Sequence, residues 1–291
     1  MPQVNKPLRF AIIIPAFNEE HLISLCLESL IHQTLMPSKI IVVDDGSTDK
    51  TLEIIQGFLK TSPLIKILSS KVKTSHQPGA KVIKAFKSGL ETISIEDYDI
   101  ICKFDADLEF PANYLEQLNK IFLEHPKVGL CGGVCTILKN ENWQIENLTN
   151  FDHVRGALKA YRAEAFIHID GLQSQMGWDT ADEFKLHYRA WQIQVDKSLK
   201  VKHHRPTASS YQDGYYKKQG KVFYALRYGL LLTTIAALKL ALKRSQYSKF
   251  RIVLKSYGEA ESDNLNYLLS KGEGRFLRRY RWKKIFRKLV P

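Results

Sequence analysis

Three short, almost wholly apolar runs constrain what this chain can fold into. Phe10–Ile14 (FAIII), Lys39–Val43 (KIIVV) and Tyr98–Phe104 (YDIICKF) are rich in Ile and Val and too short for stable helices. They predict strands buried on both faces. Ile65–Leu68 predicts a further strand. Between the strands lie stripes at helical spacing: Leu22, Ile23, Leu25, Leu27, Leu30 and Ile31 within 20–33, a stretch through Phe58 and Leu59 begun by Thr48 or Asp49, and 79–90. The alternation predicts an α/β domain with a mixed, mostly parallel sheet flanked by helices. Right-handed crossovers then collect the strand C-termini on one edge, where ligands bind in open α/β sheets. A polar cluster follows each of the three runs: Pro15–Glu19, Asp44–Ser47 and Asp105–Asp107.

Further along, Pro111 precedes a helical stripe through Tyr114, Leu115, Leu118, Ile121 and Phe122, and Val128–Ile137 reads as a strand. Residues 140–150 are polar and predict a loop. Residues 154–167, with Arg155, Lys159 and Arg162, predict a helix, as do 178–191, and 194–202 predict a strand. At 291 residues the chain has room for one large α/β domain and an appendage. Charge divides it. Residues 1–196 hold 20 Lys/Arg and 25 Asp/Glu, whereas 197–291 hold 23 and 5. The expected domains are therefore 1–205, an α/β catalytic domain, and 206–291, a basic, aromatic-rich helical extension.

Hydrophobic residues at 44% and charged residues at 25% exclude wholesale disorder. The four cysteines suit a reducing compartment. Cys131 and Cys135 lack a second Cys/His pair at zinc spacing, so buried free thiols are expected. No signal peptide is visible, and Gly229–Leu238 is shorter than the about twenty apolar residues that a membrane span needs. The expectation is a cytoplasmic protein, peripheral on the inner face of the plasma membrane.

Asp105 and Asp107 follow an apolar strand and, in a bend, can converge on one hard cation, Mg²⁺ or Mn²⁺, and the diphosphate it holds. Alone, the pair equally suits a strand-ending turn with two solvated acids. Asp44 and Asp45 sit in turn chemistry, but a carboxylate there can also accept hydrogen bonds from a base edge or a ribose. Pro15, Phe17 and Glu19 offer backbone groups and an aromatic face to a base. Asp182 and Glu183 lie near a helix start, where acids are stabilised in any case. They are also the carboxylates able to take a proton from an attacking hydroxyl. His203 and His204 follow a strand, and either could complete a metal site.

Together, IIIPAFNEE, VVDDGSTD, FDADLEFP and the downstream DE-F-K-L-x-x-R run resemble, in order and approximate spacing, family 2 glycosyltransferases of GT-A fold. The likeness covers about residues 8–205. It implies a Rossmann-like nucleotide-diphospho-sugar transferase fold and an inverting, metal-dependent reaction. Pro15, Phe17, Glu19, Asp45 and Lys81 would line the nucleotide pocket, Asp105 would contact ribose or sugar, and Asp107 would ligate the metal. Asp182-Glu183 would supply the base, although the family's usual order is Glu-Asp, which leaves open which acid acts. His203 or His204 resembles a late metal-binding His. The segment at Gly79 departs from the family's Asn/Arg-rich pattern and leaves the sugar side undefined. The implied donor is a UDP-, GDP- or dTDP-sugar, and the acceptor a glycan or lipid-linked hydroxyl.

The extension carries a leucine stripe over 224–242 and the aromatic, cationic run 275–288. Both suit a helix lying in an anionic membrane interface, or a helix packed on the catalytic domain with a solvated basic face. Two other functions compete. A nucleic-acid-binding protein would use the basic third, but no nucleic-acid motif is present and no such partner is expected. A nucleotidyltransferase would need a Gly-rich phosphate loop after the first strand, and PAFNEE is not one.

Overall fold

The computed structural model describes residues 6–69, 80–146, 152–205, 213–243 and 247–289. Contacts divide the chain into two compact units. One comprises the residues up to Ser174 with those from Arg189 to 206. The other comprises 175–188 with everything beyond 206. The division is thus interleaved, where the charge pattern suggested a single cut near 205.

In the first unit the strands are β1 Phe10–Ala16, β2 Lys39–Asp44, β3 Ile65–Ser69, β4 Ile100–Phe104, β5 Leu108–Glu109, β6 Val128–Lys139, β7 Asn142–Ile145, β8 Leu158–Arg162 and β9 Gln192–His203. The helices are α1 Ile23–Ile31, α2 Thr51–Leu59, α3 Ala80–Leu90, α4 Tyr114–Glu124 and α5 Ala163–His168. The nine-stranded sheet runs β3-β2-β1-β4-β8-β6-β9-β5, with β7 paired to β6. The first four strands are parallel. β8 is antiparallel to both β4 and β6. The central strands are buried on both faces, as their mostly apolar runs require, with Lys103 of β4 a buried exception that pairs with Asp105. All four cysteines are free and buried.

Three local expectations give way. Residues 158–162 form the strand β8, not part of a helix. The strand's first four residues are buried between β4 and β6, where only an extended segment can bond to both sides. Residues 142–145 form β7, which closes a hairpin on β6. The leucine stripe of 224–242 is two helices. In the second unit α7 (Asp213–Ala225) stops and α8 (Leu230–Lys243) starts anew. Arg227 and Gly229 between them have positive φ, 56° and 75°, which a helix cannot contain. The expected helix start at Gly79 and the end of the expected loop, 147–150, lie outside the described residues.

The second unit also holds α6 (Trp178–Tyr188), α9 (Ser248–Ser262) and α10 (Lys271–Leu289). Its core joins Phe184 of α6 to Tyr216, Phe223, Leu226, Val253, Tyr257 and Leu277. Within the described residues no helix is long and apolar enough to cross a membrane.

Candidate active site

The loops after β1 and β2 are laced together by their own polar side chains. Asn18, at φ 54°, donates its backbone N–H to Ser47 Oγ (3.0 Å) and accepts the Thr48 N–H on Oδ1 (2.8 Å). The Glu19 N–H reaches Thr51 Oγ1 (2.7 Å), and Lys50 N–H reaches Glu20 Oε2 (3.0 Å). The two acids of the second loop divide. Asp44 is buried and serves the turn, accepting from the Ser47 N–H (3.2 Å) and the Ser69 hydroxyl (3.4 Å). Asp45 faces Lys81 Nζ at 3.3 Å, and that ammonium lies 3.9 Å from the centre of the Phe17 ring. Phe17, Asp45 and Lys81 thus form one cluster: an aromatic face, an acceptor and a cation. Asn18→Ala should cost about 1–2 kcal/mol in urea unfolding, since it removes the Oδ1 acceptor of the Thr48 N–H and hydroxyl and puts alanine, which tolerates positive φ less well than asparagine, at that position.

The second cluster is set by β5 and β9. Leu108 pairs with His203 and Glu109 with Lys202, while the His204 N–H donates to the Asp107 carbonyl (3.1 Å). Because side chains alternate along a strand, the two histidines part. His203 is buried, with Nε2 3.4 Å from Asp107 Oδ2 and Nδ1 3.4 Å from Glu146 Oε2. His204 turns to Glu109 (2.9 Å), as does Lys202 (2.6 Å), and its ring meets that of Trp143 edge-on. Glu146 is further ion-paired to Arg155. Asp105 is ion-paired to the buried Lys103, which also donates to the Gly156 carbonyl (3.0 Å). Asp105 and Asp107 therefore do not point at one partner. Glu19 takes a two-pronged grip from Arg205 at 2.9 and 2.7 Å.

Electrostatics tie these groups together. Burial alone would raise the Asp107 carboxyl, but the hydrogen bond and charge of His203, with Arg205, hold it below the ordinary aspartate value. Burial alone would lower His203, but Asp107, seconded by Glu146, holds it above the ordinary histidine value. Glu19 is raised, by burial first and by Asp107 and Asp105, against the pull of Arg205.

Asp107 Oδ1 is buried and has no hydrogen-bond partner among the described residues. A carboxylate oxygen left this way is costly unless something else meets it. The other oxygen of the same carboxylate, Oδ2, lies 3.4 Å from His203 Nε2. A hard carboxylate oxygen suits Mg²⁺ or Mn²⁺, and a nearby imidazole nitrogen favours Mn²⁺ of the two. No set of three or more His, Cys, Asp or Glu groups able to hold a metal is found among the described residues. Asp107 and His203 are two groups only, and could hold such an ion only if further ligands came from elsewhere.

Asp182 and Glu183 lie on α6, in the second unit, and both are buried. The Glu183 N–H donates to Asp182 Oδ1 at 2.7 Å. Around them, Phe184 and His187 meet Tyr280 of α10. Of the predicted residues, then, the first unit gathers Phe17, Asp45 and Lys81, and separately Asp107 and His203. It engages Asp44, Asp105 and His204 elsewhere. Pro15 belongs to β1 itself, paired with Val43 of β2. Glu146, Arg205 and Lys103 were not anticipated.

A mostly parallel sheet with polar clusters at its strand ends, extended by antiparallel strands that bring an Asp and a His together, is the GT-A arrangement. Residues 11–172, more than half the chain, match glycosyl transferase family 2, and the chain belongs to that family. Among curated relatives, a dolichyl N-acetyl-alpha-D-glucosaminyl phosphate 3-beta-D-2,3-diacetamido-2,3-dideoxy-beta-D-glucuronosyltransferase of Methanococcus voltae is 33% identical over 140 residues, 47% of this chain and 41% of that protein. A poly(ribitol-phosphate) beta-glucosyltransferase of Bacillus spizizenii is 41% identical over 83 residues, 28% of this chain and 13% of that protein. The chain spans less than half the length of these relatives. In fold it is similar to S. aureus TarS 1-349 in complex with UDP-GlcNAc (TM-score 0.57, 18% identity, 86% of this chain and 72% of that one). It is also similar to the mannosyltransferase PcManGT of Pyrobaculum calidifontis in complex with GDP-Man and Mn²⁺ (TM-score 0.58, 16% identity, 97% and 81%).

Proposed function

We propose that this chain transfers a sugar from a nucleotide-diphosphate donor to a hydroxyl of a glycan or lipid-linked acceptor, with inversion, in the synthesis of an envelope polysaccharide. The observation that carries this reading is Asp107, whose buried Oδ1 has no partner among the described residues and whose Oδ2 lies 3.4 Å from His203, in the same unit as the Phe17–Asp45–Lys81 cluster. Phe17 would stack on the base, with Asp45 accepting from its edge or from ribose. Lys81 would balance the diphosphate or Asp45. Asp107 and His203 would hold Mg²⁺ or Mn²⁺, which when bound would neutralise charge on the diphosphate. Asp105, fixed by Lys103, would face ribose or sugar. One carboxylate of the Asp182–Glu183 pair would take the acceptor's hydroxyl proton. That oxygen would then bond to the anomeric carbon as the carbon–oxygen bond to the diphosphate breaks. The solved UDP-GlcNAc and GDP-Man complexes of similar fold support the donor class. The proposed place of action is the cytoplasmic face of the plasma membrane, at an anionic surface carrying the acceptor. The proposed division of labour assigns donor binding to residues 1–205 and surface contact to 206–291.

A thermal-shift panel of UDP-, GDP- and dTDP-sugars, with and without Mn²⁺, tests this. One donor should raise the midpoint in a metal-dependent way, because a ligand of the folded state must stabilise it. Asp182→Asn and Glu183→Gln should keep that shift, and one of them should lower turnover by on the order of 10²–10⁴. The released product should be the nucleoside diphosphate. Pyrophosphate release would mark a nucleotidyltransferase instead. Absence of any metal-dependent shift, or full turnover in both variants, would overturn the reading.

A further inference from the structure

Helix α8 turns most of its large apolar residues outward. Leu232, Thr233, Ala237 and Ala241 are buried, whereas Leu230 and Leu231 (each 64% exposed), Ile235, Leu238 and Leu242 face outward. Leu231, Ile235, Leu238 and Leu242 recur at i, i+4, i+7 and i+11, which is one continuous face. A soluble helix puts its polar residues there. The face has no acid, and Lys239 sits at its margin. Its hydroxyl is already spent, since Thr234 Oγ1 donates to the Leu230 carbonyl at 2.9 Å. Nothing on this face would be left without a hydrogen bond in an apolar medium.

The aromatic, cationic helix α10 behaves in the opposite way. Its Phe276, Leu277, Tyr280, Trp282 and Ile285 pack on the unit's core. Its exposed residues include Arg275, Arg279, Lys283 and Arg287, four apart along one side. Its Arg278 stem comes within 3.8 Å of the position a β-carbon would take at Gly229, immediately before α8. The unit thus offers an apolar face on α8 and a basic stripe on α10, and α10 passes close to the residue that precedes α8.

We propose that α8 lies in the plane of an anionic lipid surface, with its Leu/Ile face in the headgroup–acyl boundary and the α10 stripe drawn to the lipid charge. This rests on the proposed lipid-side acceptor and assigns the element that makes the contact. At 14 residues α8 is about 21 Å long, too short to span a bilayer but suited to lying in its interface. The basic balance of the last third, 23 Lys/Arg to 5 Asp/Glu, matches an anionic surface and opposes a second copy of itself. Five side chains also provide much less than the about 800 Å² per partner that a stable dimer buries.

The test is co-sedimentation of the full chain with phosphatidylcholine vesicles, with or without about one third phosphatidylglycerol. The wild type should bind only the anionic vesicles, and less so at high salt. Leu231→Gln with Leu238→Gln should lower the partition coefficient roughly tenfold or more, and Leu231→Ala with Leu238→Ala by less. Phe286→Gln, at the exposed end of α10, should leave it unchanged. Arg279→Gln with Lys283→Gln should weaken binding and flatten its salt dependence. Donor binding to the α8 variants, measured without vesicles, should equal wild type, so a failure of the lipid contact is separable from a failure of the transferase reading. The proposal is overturned if wild type ignores anionic vesicles, or if the α8 variants partition as wild type does. It is equally overturned if wild type is a dimer that the α8 variants dissolve.

Discussion

Asp107→Asn should abolish the Mn²⁺-dependent donor shift and lower transfer by at least on the order of 10²–10³, while the melting point moves by no more than about 4 °C. Asp107 Oδ1 is the buried carboxylate oxygen left without a partner among the described residues. Asparagine fills the same space and can keep a hydrogen bond to His203, so the fold has little to lose. What disappears is the negative charge and one hard oxygen ligand. The neighbouring acid is the control. Asp105 is committed to Lys103, so Asp105→Asn should lower turnover yet leave the Mn²⁺ concentration for half-maximal activity unchanged. The histidines separate in the same way. His203→Ala should weaken apparent Mn²⁺ affinity, whereas His204→Ala, which loses Glu109 and Trp143 as neighbours, should not. Measured Mn²⁺ titrations that rank Asp105 and His204 above Asp107 and His203 would reverse the assignment.

That contrast shows where the sequence is readable. Strands β1, β2 and β4 declare themselves because both faces are buried, which favours short runs dominated by Ile and Val. Strand β8 does not. Its Lys159 and Arg162, with Arg155 before it, fall at helical spacing, and its extended form is decided by strands β4 and β6, which are remote in sequence. At the site, Asp45 and Asp107 follow from their place after buried strands. Which histidine faces inward depends on the phase of β9, and that phase is set by the short pairing with β5. Glu146 and Arg205 gave no local signal. Their partners His203 and Glu19 lie 57 and 186 residues away, and only the closed sheet brings them together.

Gly133→Ala should be the most damaging single methyl in the first unit, lowering stability by about 3 kcal/mol or more in urea unfolding. After an earlier shift between Val128 and Leu130, strands β6 and β9 pair in register from Leu130 and Ile193 to Gly132 and Val195, then resume at Val134 and Lys200, so β9 carries an irregular insert opposite one residue. Asp196 closes that insert by accepting from the Ser198 N–H and hydroxyl. Leu199 then folds back, buried, directly over Gly133. A β-carbon at 133 would collide with the Leu199 carbonyl oxygen and crowd its side chain, and backbone cannot swing aside as a long side chain can. The Gly133 N–H also holds the Tyr114 hydroxyl at 3.2 Å, which anchors α4 beneath the strand. The damage should reach the site, because β6 leads to Glu146 and β9 ends at His203. Gly57→Ala on α2 is the counterpart. No atom lies within 4 Å of its added carbon, so it should stabilise by about 0.5–1 kcal/mol through helix propensity alone. If both glycines proved equally tolerant of alanine, close contact at the β6–β9 insert would not be what holds this side of the sheet in place.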